Sequence, residues 1–292
     1  MPNLPLVLAH GIARFDSLRQ KLQERVPVPE TELGDLFHYF KGIKSHLKTN
    51  GFAVFDPNQD FAGPVEVRAT QLRDRVNEAL AATGADRVHI IAHSMGGLDA
   101  RHMIVDLGMA ERVASLTTIG TPHLGTTLAD HVIDHGGFLL KEGLRPIVNL
   151  DGFDDLRTGA CQQFNSRAEH HEATNKVVYQ TFASAEDAHL VFAPLAASWI
   201  FIHRQEGKND GLVSVTSQLW KRELVANDGT RKTIVQREFP IDADHLNQVG
   251  WWDPQEALDP NKLLQSPRKQ KTDYENKIKE IYLQIAQSLV SF

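Results

Sequence analysis

A single cysteine, Cys161, stands among the 292 residues, so no internal disulfide can form and packing alone must hold the fold in any redox compartment. Long apolar runs are missing as well. No stretch approaches the roughly 18 consecutive apolar residues that a membrane-crossing helix needs. Positive charge is in deficit, with Lys+Arg 31 against Asp+Glu 37 and a net charge of −6, which argues against nucleic acid as a partner. The start, Met1-Pro2-Asn3-Leu4-Pro5, has neither a basic segment nor a cleavable apolar stretch, so no secretion signal is expected in it. No H-E-x-x-H pair occurs among the 14 histidines, which excludes a zincin. Internal repeats and low-complexity tracts are absent too. What remains is an ordinary globular composition, 41% hydrophobic and 23% charged, that rules out disordered, collagenous and disulfide-scaffold classes. At this length one α/β sheet with a helical cap forms a single unit, and one domain over 1–292 is the expectation.

The run Pro5-Leu6-Val7-Leu8-Ala9 is short, apolar and bounded by proline and by His10-Gly11, which suits an interior strand of a parallel sheet. The patterning predicts a helix over 36–49, a strand over 52–55, and a helix over 67–82 that places Leu72, Val76, Ala79 and Leu80 on one face and ends at Gly84. A second buried strand, 87–91, runs directly into Ala92-His93-Ser94-Met95-Gly96-Gly97, and Leu98, Met103, Ile104 and Leu107 mark the helix after it. A third strand, 113–119, stops at Gly120-Thr121-Pro122. Strands and helices alternating at these lengths are crossover units, and crossovers require a parallel sheet. Later strands are expected over 177–182, 199–203 and 233–239, and a last helix over 274–289. The charged, proline-containing stretch 265–273 reads as a solvated loop, and the looser pattern between Gly125 and Lys176 as an insertion over the sheet.

A serine hydroxyl is a poor nucleophile at neutral pH, so a catalytic serine needs both a geometry that exposes it and a base that deprotonates it. Ala92-His93-Ser94-Met95-Gly96 supplies the first, because small residues two before and two after Ser94 allow a tight strand-to-helix turn. The flanking strand and helix are the context this motif requires. The plainer alternative is a helix N-cap serine beside a glycine-rich turn. A base should follow later in the chain, with its carboxylate before it. Asn209-Asp210-Gly211-Leu212-Val213 and Asp242-Ala243-Asp244-His245-Leu246 both read as lying at strand C-terminal ends, where sites gather in open α/β sheets. His10-Gly11-Ile12 follows the first buried strand, where the Ile12 N–H can face the same oxyanion, or where the chain simply turns.

In order along the chain, Val7-Leu8-Ala9-His10-Gly11-Ile12, Tyr39-Phe40-Lys41-Gly42, Ala92-His93-Ser94-Met95-Gly96-Gly97, Asn209-Asp210-Gly211-Leu212-Val213 and Asp244-His245-Leu246 make up a pattern that resembles the bacterial family I true lipases. Thr121-Pro122-His123-Leu124-Gly125 and Phe164-Asn165 add to the likeness, which covers nearly the whole chain. The resemblance implies an α/β-hydrolase fold with a mostly parallel central sheet flanked by helices, and a helical lid. It also implies hydrolysis of triacylglycerols or other carboxylic esters, secretion, and one structural calcium ion without an organic cofactor.

Carried over by position, Ser94 is the nucleophile, Asp210 the acid, His245 the base, and the N–H groups of Ile12 and Met95 the oxyanion hole. Ala92 stands where many members have glycine, and the stretch between Arg14 and His38 is longer and richer in proline and acidic residues than the family pattern. Asn247 stands where many members carry an acidic calcium ligand; with Asp187 and Asp253 it makes up the expected calcium set, against an Asx turn at Asp253-Pro254 and a solvated Asp187. The lid is expected over 126–155, where Val132, Ile133, Phe138, Leu139 and Leu140 lie among polar neighbours. A fixed helical cap is the plainer reading of that segment. Two other functions share these residues: a soluble short-chain carboxylesterase or acyltransferase, and a non-catalytic ligand-binding scaffold, which an intact Ser94, Asp210 and His245 argue against.

Overall fold

Apolar runs bounded by turn residues become the strands of a parallel sheet in the computed structural model, which describes residues 4–11, 39–56, 63–136, 144, 152–252 and 266–290. The strands are β1 (Leu6–Ala9), β2 (Val54–Phe55), β3 (Val88–His93), β4 (Val113–Ile119), β5 (Val178–Ala183), β6 (Glu223–Val225), β7 (Arg231–Thr233) and β8 (Val235–Glu238). The main sheet has the order β2-β1-β3-β4-β5-β8, and every pairing in it is parallel. A separate antiparallel pair joins β6 to β7. The helices are α1 (Ile43–Thr49), α2 (Val65–Thr83), α3 (Gly96–Asp106), α4 (Thr127–His135), α5 (Thr158–Thr174), α6 (Ala196–Glu206), α7 (Val215–Leu219) and α8 (Pro267–Leu289).

Strand alternation sorts the core into two layers. Leu6, Leu8, Ile91, Ile119 and Phe182 face one cluster with residues of α1, α4, α6 and α8. Val7, Ala9, Ile90, Ala92 and Leu116 face the other, with residues of α2 and α3. The chain runs from β1 outward to β2 and then crosses back to β3 on the other side of β1. That reversal opens a crevice between the C-terminal ends of β1 and β3, the general ligand position of open α/β sheets.

Several expected elements differ from those observed. Residues 199–203 lie in helix α6, not in a strand. The run Trp199-Ile200-Phe201-Ile202 is too short for periodicity to separate the two forms, and only its Ser198 and Ile202 face is buried. Asp210 therefore follows a helix. The stretch 265–273 is mostly the first turns of α8, begun by the Ser266 hydroxyl, which accepts the Lys269 N–H, and by Pro267 in the first turn. Helix α1 starts only at Ile43 because Gly42 takes a left-handed conformation, φ 67°; residues 36–38 of the expected helix lie outside the described residues. Of the expected lid, 137–143 and 145–151 also lie outside them. Its flanks are tied down: Asp130 accepts from the Thr158 hydroxyl at 2.6 Å, Arg157 pairs with Asp134 at 2.7 Å, and Val132 is buried in the core. No helix among the described residues is long and apolar enough to cross a membrane.

Two buried ion pairs fasten α3 to its neighbours. Arg101 meets Glu172 of α5 through two N–H bonds of 2.8 and 2.9 Å, both side chains being fully buried. Arg68 of α2 contacts Asp99 at 2.9 Å and Asp155 at 2.9 Å. Glu172→Ala strands the Arg101 charge and should destabilise the fold by about 3–5 kcal/mol. The double change Arg101→Met with Glu172→Leu should recover most of that in urea unfolding. Among buried histidines, His89 on β3 has its pKa pushed from 6.5 to about 4, chiefly by burial and then by Arg87. The unfolded chain binds that proton near 6.5 and the folded one does not, so this contribution to stability is whole above 6.5 and is lost as pH falls toward about 4. Melting temperatures across that range should fall more steeply for the native chain than for His89→Gln.

Candidate active site

Strand β3 ends in a sharp turn at Ser94, whose φ of 56° is left-handed although it carries a side chain. Such a conformation costs roughly 1–3 kcal/mol and persists only where its surroundings impose it. Here they do. The Ser94 N–H bonds to the Ile119 carbonyl at 2.9 Å and the Thr121 hydroxyl to the Ser94 carbonyl at 2.7 Å. A Cβ on Gly96 would fall 2.4 Å from the His10 carbonyl oxygen, and one on Gly11 2.5 Å from Ser94 Cβ, so glycine is what lets the two strand ends close on each other.

The structure brings Ser94, His245 and Asp210 together. His245 Nε2 lies 2.8 Å from Ser94 Oγ and His245 Nδ1 lies 2.8 Å from Asp210 Oδ2. All three are buried. Because the carboxylate only accepts, Nδ1 carries the proton and Nε2 is left as acceptor for the Ser94 hydroxyl. Asp210 Oδ1 accepts from the N–H groups of Leu212 at 3.0 Å and Val213 at 2.8 Å, while its backbone carbonyl receives the His245 N–H at 2.8 Å. Such a set can move a proton from a serine hydroxyl and stabilise the imidazolium that results. Met95 caps α3, so its N–H points from a helix start where no intrahelical acceptor exists. Ile12 lies outside the described residues.

Sequence reasoning missed a fourth side chain. Gln248, fully buried, donates from Nε2 to Asp210 Oδ2 at 2.9 Å. An isolated glutamine three residues after His245 carries no motif signal. Tyr39 and His93, which entered the pattern without a role, also lie here: the Tyr39 hydroxyl is 2.6 Å from His93 Nδ1. Burial, and next the nearby His245, hold His93 well below the ordinary imidazole range, so it is neutral.

Comparison with known proteins gives the family of this fold. A family model described as the alpha/beta hydrolase fold matches residues 5–188. Triacylglycerol lipase 2 of Saccharomyces cerevisiae is 27% identical over 290 residues, covering 86% of this chain and 81% of its own. A triacylglycerol lipase of Pseudarthrobacter phenanthrenivorans is 38% identical over 134 residues, 44% of this chain, and the match spans about a third, 36%, of that relative's length. Among solved structures, a Bacillus licheniformis lipase in mature form superposes with a TM-score of 0.59 at 18% identity, covering 84% of this chain and 86% of its own, a likeness of fold.

Of the residues proposed for calcium, Asp187 and Asn247 lie among those described. Asp187 is exposed, with its backbone carbonyl accepting from Leu190 and Val191. Both ends of the Asn247 amide are engaged, Nδ2 donating to the Trp251 carbonyl at 2.6 Å and Oδ1 accepting the Asp244 N–H at 3.4 Å. Asp253 lies outside the described residues, and among those described no cluster of His, Cys, Asp or Glu could hold a metal. A carboxylate holds the His245 loop: Asp244 Oδ1 accepts the N–H groups of Leu246 and Asn247 at 2.8 Å each, and Oδ2 that of Phe192 at 2.8 Å. Burial pushes this carboxyl up to about 7 while those N–H groups pull it down. Asp244→Ala leaves the buried donors unmet and should lower stability by about 3 kcal/mol, read as a fall in Tm with a parallel loss of activity.

Proposed function

The chain belongs to the alpha/beta hydrolase fold family, a carboxylic ester hydrolase, and on that premise we propose that it is a triacylglycerol lipase of the bacterial family I type acting through Ser94, His245 and Asp210. The observation that carries this reading is the continuous relay of two 2.8 Å hydrogen bonds ending on a strained, glycine-flanked serine. In that mechanism Ser94 Oγ attacks the ester carbonyl as His245 Nε2 takes its proton, and Asp210 stabilises the imidazolium. The N–H groups of Met95 and Ile12 hold the tetrahedral oxyanion. His245 then protonates the departing alkoxide, leaving an acyl-enzyme. Water, activated by the same histidine, attacks the acyl carbonyl and frees Ser94 and the carboxylic acid.

Lipid esters are favoured as substrate by the triacylglycerol lipases among its relatives. The segment 126–155, with its apolar residues, then serves as the cap over an acyl-chain site at an oil–water interface. Ser94→Ala should abolish organophosphonate labelling and lower turnover by about 10⁴-fold or more, since members of such a relay act as a unit. Native-like esterase rates in that variant would overturn the mechanism. Hydrolysis should be faster on emulsified long-chain triglyceride than on dissolved butyrate esters. The opposite preference would make the enzyme a soluble short-chain carboxylesterase with the same chemistry.

A further inference from the structure

Asp210 Oδ2 receives two hydrogen bonds, from His245 Nδ1 at 2.8 Å and from Gln248 Nε2 at 2.9 Å. The second begins a chain whose every direction is forced. A carboxylate accepts only, so the Gln248 amide must turn its NH₂ to Asp210 and its carbonyl away. That carbonyl, Oε1, lies 3.0 Å from His93 Nε2, which therefore carries the proton. Neutral His93 is then left with Nδ1 as an acceptor, and the Tyr39 hydroxyl, 2.6 Å away, donates to it. The Tyr39 oxygen in turn lies against Gly11, where an added Cβ would fall 2.8 Å from it. Gly11 ends the approach to Ile12 and sits against Ser94, where an added Cβ would touch both Ser94 Cβ and Oγ within 3 Å. The chain thus leaves the acid at Asp210, passes behind His245, and returns to the turn beside the serine.

The fold makes room for this path. Gly120, at the end of β4 with φ 61°, faces the Gln248 carbonyl so closely that a Cβ there would lie 2.2 Å from Oε1 and 3.3 Å from Asp210 Oδ2. His93 also packs against His245, ring centroids 4.6 Å apart and planes tilted by 48°, so the ring that Gln248 orients is one wall of the base. The ionisable groups around Gln248 are Asp210, His245, His93 and Tyr39, with Asp244 on the adjoining turn. Each is buried, and in such surroundings a hydrogen bond is strong and a lost partner costly.

We propose that Gln248 is a positioning residue of the reaction: by donating to Asp210 and accepting from His93 it fixes the acid beneath His245 and, through His93 and Tyr39, the seat of Gly11 against Ser94. This rests on the mechanism proposed above. The amide alone does both tasks. Methionine and leucine occupy much of the same space with no amide donor and no carbonyl acceptor.

The test measures Gln248→Met and Gln248→Leu on a dissolved butyrate ester, with kcat expressed per serine titrated by an organophosphonate. Expressing the rate per titrated serine removes any loss through misfolding. Both variants should lose about ten- to a hundredfold in kcat, as is usual when an orienting partner of a reactive group is removed, with KM within twofold of native. The downfield proton resonance of His245 Nδ1–H should shift in both. Native kcat per titrated site in either variant, with that resonance unmoved, would make Gln248 a space filler and overturn the proposal. Where the methionine variant yields too little folded protein to titrate, the leucine variant decides alone. Turnover surviving in Ser94→Ala would instead overturn the mechanism on which this rests, whatever Gln248 does.

Discussion

One buried charge organises the site. Asp210 has no access to water, and a carboxylate buried there without hydrogen-bond partners would be costly. It is met instead by four N–H donors: Leu212 and Val213 from its own turn, His245 from the loop after β8, and Gln248 three residues further. Two of these are backbone groups that shape the Asp210 turn, and two are side chains that must be brought from a distant segment. The requirement to satisfy one anion therefore fixes the conformation of one loop and the docking of another. The imidazole is aimed at Ser94 as a result, with its tautomer already set.

Strain on the opposite side is sustained by the same economy of donors and acceptors. Ser94 is held in a left-handed conformation by bonds at its N–H and its carbonyl, from β4 and from Thr121. The crevice where this happens exists because the strand order reverses between β1 and β3. Topology supplies the place, glycine supplies the close approach, and hydrogen bonds supply the geometry. A loop alone could not hold a serine there against water and its own backbone preference.

How far this could be read from the residues follows from the range of each interaction. The sheet was legible because β1, β3 and β4 are short apolar runs bounded by turn residues, and 113–119 coincides with β4. Helix α6 was not, since four apolar residues in a row fit either period and only tertiary burial of Ser198 and Ile202 decides between them. The start of α8 was hidden by its charges, although Ser266-Pro267 is a helix-start signal in its own right. Ser94, Asp210 and His245 stood out because their neighbours form motifs. Gln248 and Asp244 did not, because each acts through partners far off in the chain: Gln248 on Asp210 and His93, Asp244 on Phe192. The calcium set was read from positions alone. In the structure the Asn247 amide is engaged at both ends, and Asp253 lies outside the described residues.

The buried ion pairs on the far face of the sheet belong to the same argument. Removing charge from water at these positions gains little net stability, since a matched apolar pair does about as well. Their placement is more telling than their energy. Asp99 and Arg101 lie in the first two turns of α3, the helix whose start carries the Ser94 turn and the Met95 N–H. Asp99 is gripped from α2 by Arg68, and Arg101 from α5 by Glu172, so the helix is held from both sides near its N-terminal end. A slip of α3 along its axis would separate two ions from their partners in a medium that does not solvate them, a penalty of several kcal/mol per ion. Apolar packing tolerates small displacements far better. An oxyanion donor must hold its place to within a few tenths of an ångström, and on this view the ion pairs fix the register of the helix that presents it.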